Sequence, residues 1–178
     1  MLNDGADCII NKVICALKEA FSPTSSHPPI GGGTERVRVF AGSATPLSAV
    51  DMHMDDCGCG NDPFLWVRLV RRYRSQIFPQ PYVGDNGCGA PRVIAVEVGV
   101  ARCAAAATEG GCDWTAYESE AEISLDDSAR IELALCRAAA LMKASKCSDM
   151  IALDAVVPDG PEGGVIAWVG NLYARVDN

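Results

Sequence analysis

The side chains best equipped for chemistry gather in one stretch, Asp51-x-His53-x-Asp55-Asp56-Cys57-x-Cys59. Carboxylate, imidazole and thiolate groups this close together could hold a divalent metal of the zinc type. Cys88, Cys103 or Cys112 could supply a further ligand. Zinc sites ordinarily use Cys-x2-Cys or wider pairs, so Cys57-x-Cys59 is a weak match. The expected state is free thiols in a glycine-rich loop. Metal held by Cys57, Cys59, Cys88 and His53, or disulfides in a released particle, are the alternatives. The chain carries 9 Cys, an odd number that forbids complete pairing within one molecule. Cys8, Cys15 and Cys136 fall inside helical patterns and are expected to be small buried side chains.

Other routes to catalysis lack material. The chain has 2 His, His27 and His53. His27 sits between Ser26 and Pro28 and is expected to be solvated. Gly31-Gly-Gly33 lacks the following Lys-Ser/Thr of a phosphate loop and precedes a strand, so it reads as a linker. Ala41-Gly-Ser-Ala44 resembles a nucleophile elbow only loosely. Glu118, Glu120, Glu122, Asp126 and Asp127 could be a carboxylate cluster. Acid/base pairs need environments that push their pKa values apart, and a run leading into a helix cap reads instead as a solvated acidic face. Arg68, Arg72 and Arg74 share one face of an alternating strand. They could line a pore that passes DNA, meet a neighbouring subunit's acidic patch, or face solvent. No catalytic residue and no cofactor is expected.

These groups need elements to hold them. Ile10, Val13, Ile14, Leu17 and Phe21 recur at helical spacing behind Asp7 as N-cap, and Ser22-Pro23 ends that helix. Thr34–Phe40 alternates as a strand. Phe64–Ser75 is a second, with Val67, Leu69 and Tyr73 on one face and Trp66 and the three arginines on the other. Arg92–Cys103 is the strongest strand, with Ile94, Val96, Val98 and Val100 pointing one way and Ala95, Glu97, Gly99 and Ala101 the other, the mark of a half-covered sheet. The main helix is predicted between Ser124 and Ser145, with a capping box at Ser124-Leu-Asp-Asp127 and an apolar stripe of Ile131, Leu135, Ala138 and Met142. Strands Ile151–Val157 and Val165–Val176 follow, joined by a turn-rich connection over 158–164. Long loops cover about 41–63 and 76–91 and suggest contact segments. The expected fold is one α+β domain over 1–178, a largely antiparallel or mixed sheet of about five strands with two helices packed on it.

Composition bounds the function. The 178 residues are 49% hydrophobic and 21% charged, a globular balance with enough chain for a core. A net charge of -8 repels the phosphate backbone and argues against sequence-independent DNA binding. The sign is segregated: arginines crowd the first 92 residues, and Glu109 to Asp127 is almost purely acidic. Two differently charged surfaces suit stacking against neighbours. The N-terminal residues carry no signal-peptide pattern and no run spans a bilayer, so folding in a reducing cytoplasm is expected.

Trp66-Val-Arg-Leu-Val-Arg-Arg-Tyr-Arg74, Phe78-Pro79 and Val93-Ile-Ala-Val-Glu-Val-Gly-Val-Ala-Arg-Cys103 resemble the neck proteins of long-tailed actinobacterial phages. So do Asp126-Asp-Ser-Ala-Arg130 and the Gly160-Pro-Glu-Gly-Gly164 turn before the last strand. Within that set the chain is most similar to the tail terminator, or head-to-tail connector, over roughly residues 8 to 176. The resemblance implies a virion protein that first assembles in the host cytoplasm. It would form a ring, expected as a hexamer, that caps the tail tube, ends its growth and docks to the head. Implied partners are further copies of the chain, the major tail tube protein and a head-completion protein, with DNA passing through the ring and no membrane. Arg68, Arg72, Arg74, Glu118, Glu120 and Glu122 are the assembly or pore-facing candidates. The chain reads Gly163-Gly-Val-Ile-Ala-Trp168 where relatives are expected to place a cysteine soon after the glycines. A head-completion stopper or adaptor is the alternative within this class. A zinc- or thiol-dependent enzyme using Cys57 and Cys59 is the alternative outside it.

Overall fold

The computed structural model describes residues 5–42, 50, 53, 62–85, 87–105, 113–162 and 164–176. In chain order the elements are α1 (Ala6–Ala20), β1 (Val37–Ala41), β2 (Phe64–Arg74), β3 (Arg92–Cys103), α2 (Trp114–Ala144), β4 (Ile151–Leu153), β5 (Val157–Glu162) and β6 (Val165–Val176). The strands form one mixed sheet in the order β1-β2-β3-β6-β4, with β5 also paired to β6. β1 runs parallel to β2, and the other pairings are antiparallel. This is the α+β fold expected from the sequence. β4 and β5 line the same edge of β6, and the break between them is bridged by the Asp154 N–H donating to Asn171 O at 2.9 Å.

The alternation of β3 decides which face is dry. Ile94, Val96, Val98 and Val100 join Leu65 and Val67 of β2 and Leu172 and Ala174 of β6 in the main core. Onto this face α1 lays Ile9, Val13, Leu17 and Phe21, and α2 lays Ile131, Ala134, Leu135, Ala138 and Met142. Fully burying a Leu, Ile or Phe side chain contributes roughly 1.5–3 kcal/mol, so these stripes account for the docking of both helices. The start of α1 needs a glycine: Gly5 sits at φ 70° with Val176 Cγ1 2.9 Å from where a Cβ would stand.

The opposite face carries a second buried cluster of Phe64, Trp66, Ala101 and Ala167, with Val50 packed into it. The Trp66 ring lies across Gly99, in the space a Cβ there would fill, and its Nε1 donates to Glu97 Oε1 at 3.0 Å. Phe40 and Phe64 extend this layer, and the His53 ring meets Phe64 edge-on at 5.3 Å.

Several sequence expectations need correction. α2 starts at Trp114, not Ser124, and its N-cap is Asp113, whose carboxylate accepts from Thr115 N (3.1 Å) and Ala116 N (3.2 Å). Ser124, in mid-helix, accepts instead from Trp168 Nε1 at 2.7 Å. The N-cap of α1 is Gly5, and Asp7 lies in the first turn. The connection expected over 158–164 is largely strand: Pro158 and Asp159 pair with Trp168 and Ala167. Cys15 and Cys136 are exposed free thiols, and Cys8 is bonded to Cys147 with a Cα–Cα distance of 5.8 Å. Cys103 is also disulfide-bonded.

Candidate functional site

The structure separates the candidate residues between the two ends and the two faces of one sheet. A bulge in β2 accounts for the change of face. Leu69 pairs with Val96 and Arg71 with Ala95, so Val70 is an extra residue and the alternation of faces slips by one. Arg68, before the bulge, stays on the open face. Arg72 pairs with Ile94 and Arg74 with Arg92, which puts them on the helix-covered side. The expected shared face of Arg68, Arg72 and Arg74 is therefore overturned.

Arg68 is 8% exposed and committed to Glu97. Its Nε donates to Glu97 Oε1 at 2.9 Å, its Nη2 donates to Oε2, and its Nη1 reaches Gly42 O at 3.0 Å. It anchors the open face and is withdrawn from solvent. Arg72 is exposed, and Arg74 Nη1 donates to Ala90 O at 2.7 Å.

The end where β2 stops, β3 starts and β6 stops collects Arg72, Arg74 and Arg92 on the helix-covered face, and Arg175, which pairs with Val93, on the other. Arg74 stands directly opposite Arg92, a like-charge pairing that costs stability unless an anion relieves it. A cleft of about 230 Å³ opens between Arg72, Arg74, Arg92 and Val176. A second, of about 360 Å³, lies between Ser75, Gln76, Phe78, Met150 and Arg175. Buried polar atoms are left over at this end: Ser75 Oγ, on a residue 3% exposed, and Arg92 Nε have no hydrogen-bond partner among the described residues. Arg175 meets Asp149 at 2.6 Å. Beside them burial raises the Tyr73 phenol above its usual value, against the lowering effect of Arg71, whose guanidinium lies 4.9 Å over the ring. Burial and then the Asp154 carboxylate raise Tyr173.

The other end carries the acids. Glu118 and Glu122 are exposed on the first half of α2, and Glu120 accepts from the Ala105 N–H just past β3. Exposed Trp114 stands one helical turn before Glu118 at 72% exposure. The two remaining aspartates of this run are not a solvated acidic face. Asp127 is 3% exposed and takes Arg102 Nε at 2.5 Å, while Arg102 also donates to the carbonyls of Gly31 and Gly32. Asp126 holds Arg130 at 2.7 Å and accepts from Ile30 N at 3.0 Å. This hub straps the 22–36 connection onto α2, which is what Gly31-Gly-Gly33 serves: exposed carbonyls in reach of a guanidinium. Burial pushes the Asp127 carboxyl above its ordinary value against the pull of Arg102. Burial acts the same way on Asp126, but the bonds from Arg130 and Ile30 outweigh it and hold that carboxyl below its usual value.

Arg102, Asp127 and Arg130 were missed as organising residues, although a signal existed. Arg102 continues the Ile94, Val96, Val98, Val100 parity, and Asp127 falls on the Ile131, Leu135 stripe. A charge at a core position of each element is the pattern of a buried ion pair.

Of the metal candidates, Cys57 and Cys59 lie outside the described residues, as does Cys112. Cys88 is an exposed free thiol, and His53 pairs with the Asp62 carbonyl through Nε2 at 2.8 Å. Among the described residues no group of three or more His, Cys, Asp or Glu is placed to hold a metal. Among them, too, no helix is long and apolar enough to cross a membrane. No protein-family model matches the chain, and no curated protein matches it significantly. The arrangement can do one thing well: present cations at one end of a rigid sheet and carboxylates at the other. β3, 12 residues long, sets these ends roughly 35–40 Å apart at about 3.3 Å per residue.

Proposed function

We propose that the protein is a structural virion component of the neck of a long-tailed phage, a tail terminator whose copies form a ring, read as a hexamer, on the end of the tail tube. The observation that carries this reading is the separation of charge onto opposite ends of a sheet-and-helix subunit, which suits a molecule that works by contact with neighbours. The residues that resemble neck proteins, Trp66–Arg74 and Val93–Cys103, are the strands β2 and β3 that build the arginine end. The Cys8–Cys147 bridge suits a subunit that starts in the host cytoplasm and ends in a particle released to oxidising surroundings. The partners in this reading are the major tail tube protein on one side and a head-completion protein on the other, with DNA passing through the ring. The chain acts by docking, without a catalytic residue or cofactor.

Electron microscopy of lysates from a phage lacking the gene tests the proposal. Overlong tail tubes beside full, tailless heads are the expected result. Tails of normal length that fail to join leaking heads would reassign the chain to the stopper or adaptor below the portal. Intact infectious virions would overturn the structural role.

A further inference from the structure

The side of α2 turned away from the sheet carries an apolar strip. The inner side, from Asp127 to Met142, is buried. On the outer side Leu125, Ala129, Leu133, Cys136 and Ala140 follow one another at three- and four-residue steps, and all five are exposed. The two leucines are 69% and 61% exposed. Single apolar residues on a surface need no account, but five in line along one helix, mostly small, make a strip onto which another helix can close.

Charge says which helix. Toward its N-terminus the strip runs into Glu122 and Glu118, and toward its C-terminus into Lys143 and, just past the helix, Lys146. All four are exposed, and none has an ion-pair partner among the described residues. Glu122 and Lys143, Leu125 and Ala140, and Ala129 and Cys136 share one midpoint along the helix, between Glu132 and Leu133. Glu118 and Lys146 are centred on Glu132, beside it. Turned end for end, the strip therefore matches itself. Each glutamate meets a lysine, Leu125 meets Ala140, and Ala129 meets Cys136. Glu132, at the border of the strip near this midpoint, meets its own counterpart and works against the contact. A strip that complements its own reverse suits contact between identical chains about a two-fold axis.

We infer that the Leu125–Ala140 side of α2 pairs antiparallel with the same side of α2 in a second copy, about an axis between Glu132 and Leu133. α2 is 31 residues long. A strip about 46 Å long and about 10 Å wide falls short of the roughly 800 Å² per partner of a standard interface, so the pair is weak and reversible. An isologous contact closes at two copies and does not build a ring. The inference thus goes beyond the neck reading and does not rest on it.

Sedimentation velocity of the purified chain over a concentration series is the test. Wild type is expected to pass from monomer to dimer mass between about 1 and about 100 μM. Glu122→Lys sets lysine against lysine at both ends of the pair, and Lys143→Glu sets glutamate against glutamate. Each is expected to weaken association by about tenfold. Both changes in one chain restore the match and with it the wild-type affinity. The positions are exposed, and unchanged far-UV circular dichroism separates loss of contact from loss of fold. A cross-link reads the register. Ala129→Cys places a thiol opposite Cys136 of the second copy, and diamide, which takes up the two hydrogens, is expected to join them into a covalent dimer. Within one chain the two positions lie about 10 Å apart along the helix, beyond the reach of a disulfide. Adding Cys136→Ser abolishes the link. A wild type that stays monomeric at its highest soluble concentration overturns the inference and hands the strip to a different protein. Self-association that ignores Glu122→Lys, or a double variant as weak as the single ones, overturns it too, and so does a cross-link that survives the loss of Cys136. None of these results bears on tail length in the deletion lysate, so either reading can fail alone.

Discussion

Gly99 shows how much rests on one missing methyl group. The Trp66 ring occupies the space above it, with Nε1 fixed on Glu97 and Arg68 behind. Gly99→Ala should force the indole out and cost about 1–3 kcal/mol, lowering the urea midpoint and shifting Trp emission; an unchanged midpoint would mean the ring moves freely. The neighbouring aspartates make a pH prediction. Asp126, held below its ordinary value, stabilises the fold above about pH 4 and loses that contribution as pH falls through its lowered folded value. Asp127, raised by burial, acts in the opposite sense, since the folded form takes up its proton first. Asp126→Asn should therefore make the acid limb of the stability curve shallower than wild type, as measured by denaturation at a series of pH values. Strand parity revealed Ile94 to Val100 as core. It equally placed Arg102 there, but a lone charge at a strand end reads as solvated until its partner on α2 is known.

Among elements, the sequence located β2 to within a residue and β3 to its ends, because strong alternation leaves little freedom. It missed about the first ten residues of α2 for a physical reason. The turns from Trp114 to Asp126 bury no side chain, so no apolar stripe marks them. Periodicity reports apolar burial, and this half of the helix is held instead by polar contacts through Glu120, Ser124 and Asp126. The Asp113 cap is then a principal determinant of where it starts: Asp113→Ala should cost about 1 kcal/mol and fray the first turns, seen as faster amide exchange there. β5 was hidden behind Pro158 and Pro161, which an edge strand tolerates because its outer N–H groups need no partner. The bulge at Val70 left no sequence signal, and it alone moved Arg72 and Arg74 off the face of Arg68. Cys8–Cys147 spans 139 residues, and closing so long a loop is worth about 5 kcal/mol on the chain-entropy account. Cys8→Ser should lower the melting temperature, and reduction of wild type should lower it further, because reduction also opens the Cys103 disulfide; a Cys8→Ser value equal to that of oxidised wild type would show that the Cys8–Cys147 bridge contributes nothing.

At the scale of the whole molecule both helices share one sheet face, and the bridge ties the start of α1 to the turn after α2. Unfolding should then be a single event, with tryptophan fluorescence, near-UV and far-UV signals coinciding in urea; separated transitions would show the helical layer leaving the sheet independently. The segregated charges were legible in composition. Their placement at opposite ends was not, because it depends on α2 running alongside the sheet so that its start lies by the end of β3.

The position of β6 has a consequence for synthesis. The C-terminal strand of the fold lies inside the sheet, hydrogen-bonded to β3 on one side and to β4 and β5 on the other. Until it leaves the ribosome, β3 has an open edge and the helices have half a platform. A nascent chain therefore cannot commit early. Any fragment that stops short of Val165 exposes a long apolar strand edge, which cellular quality control would recognise.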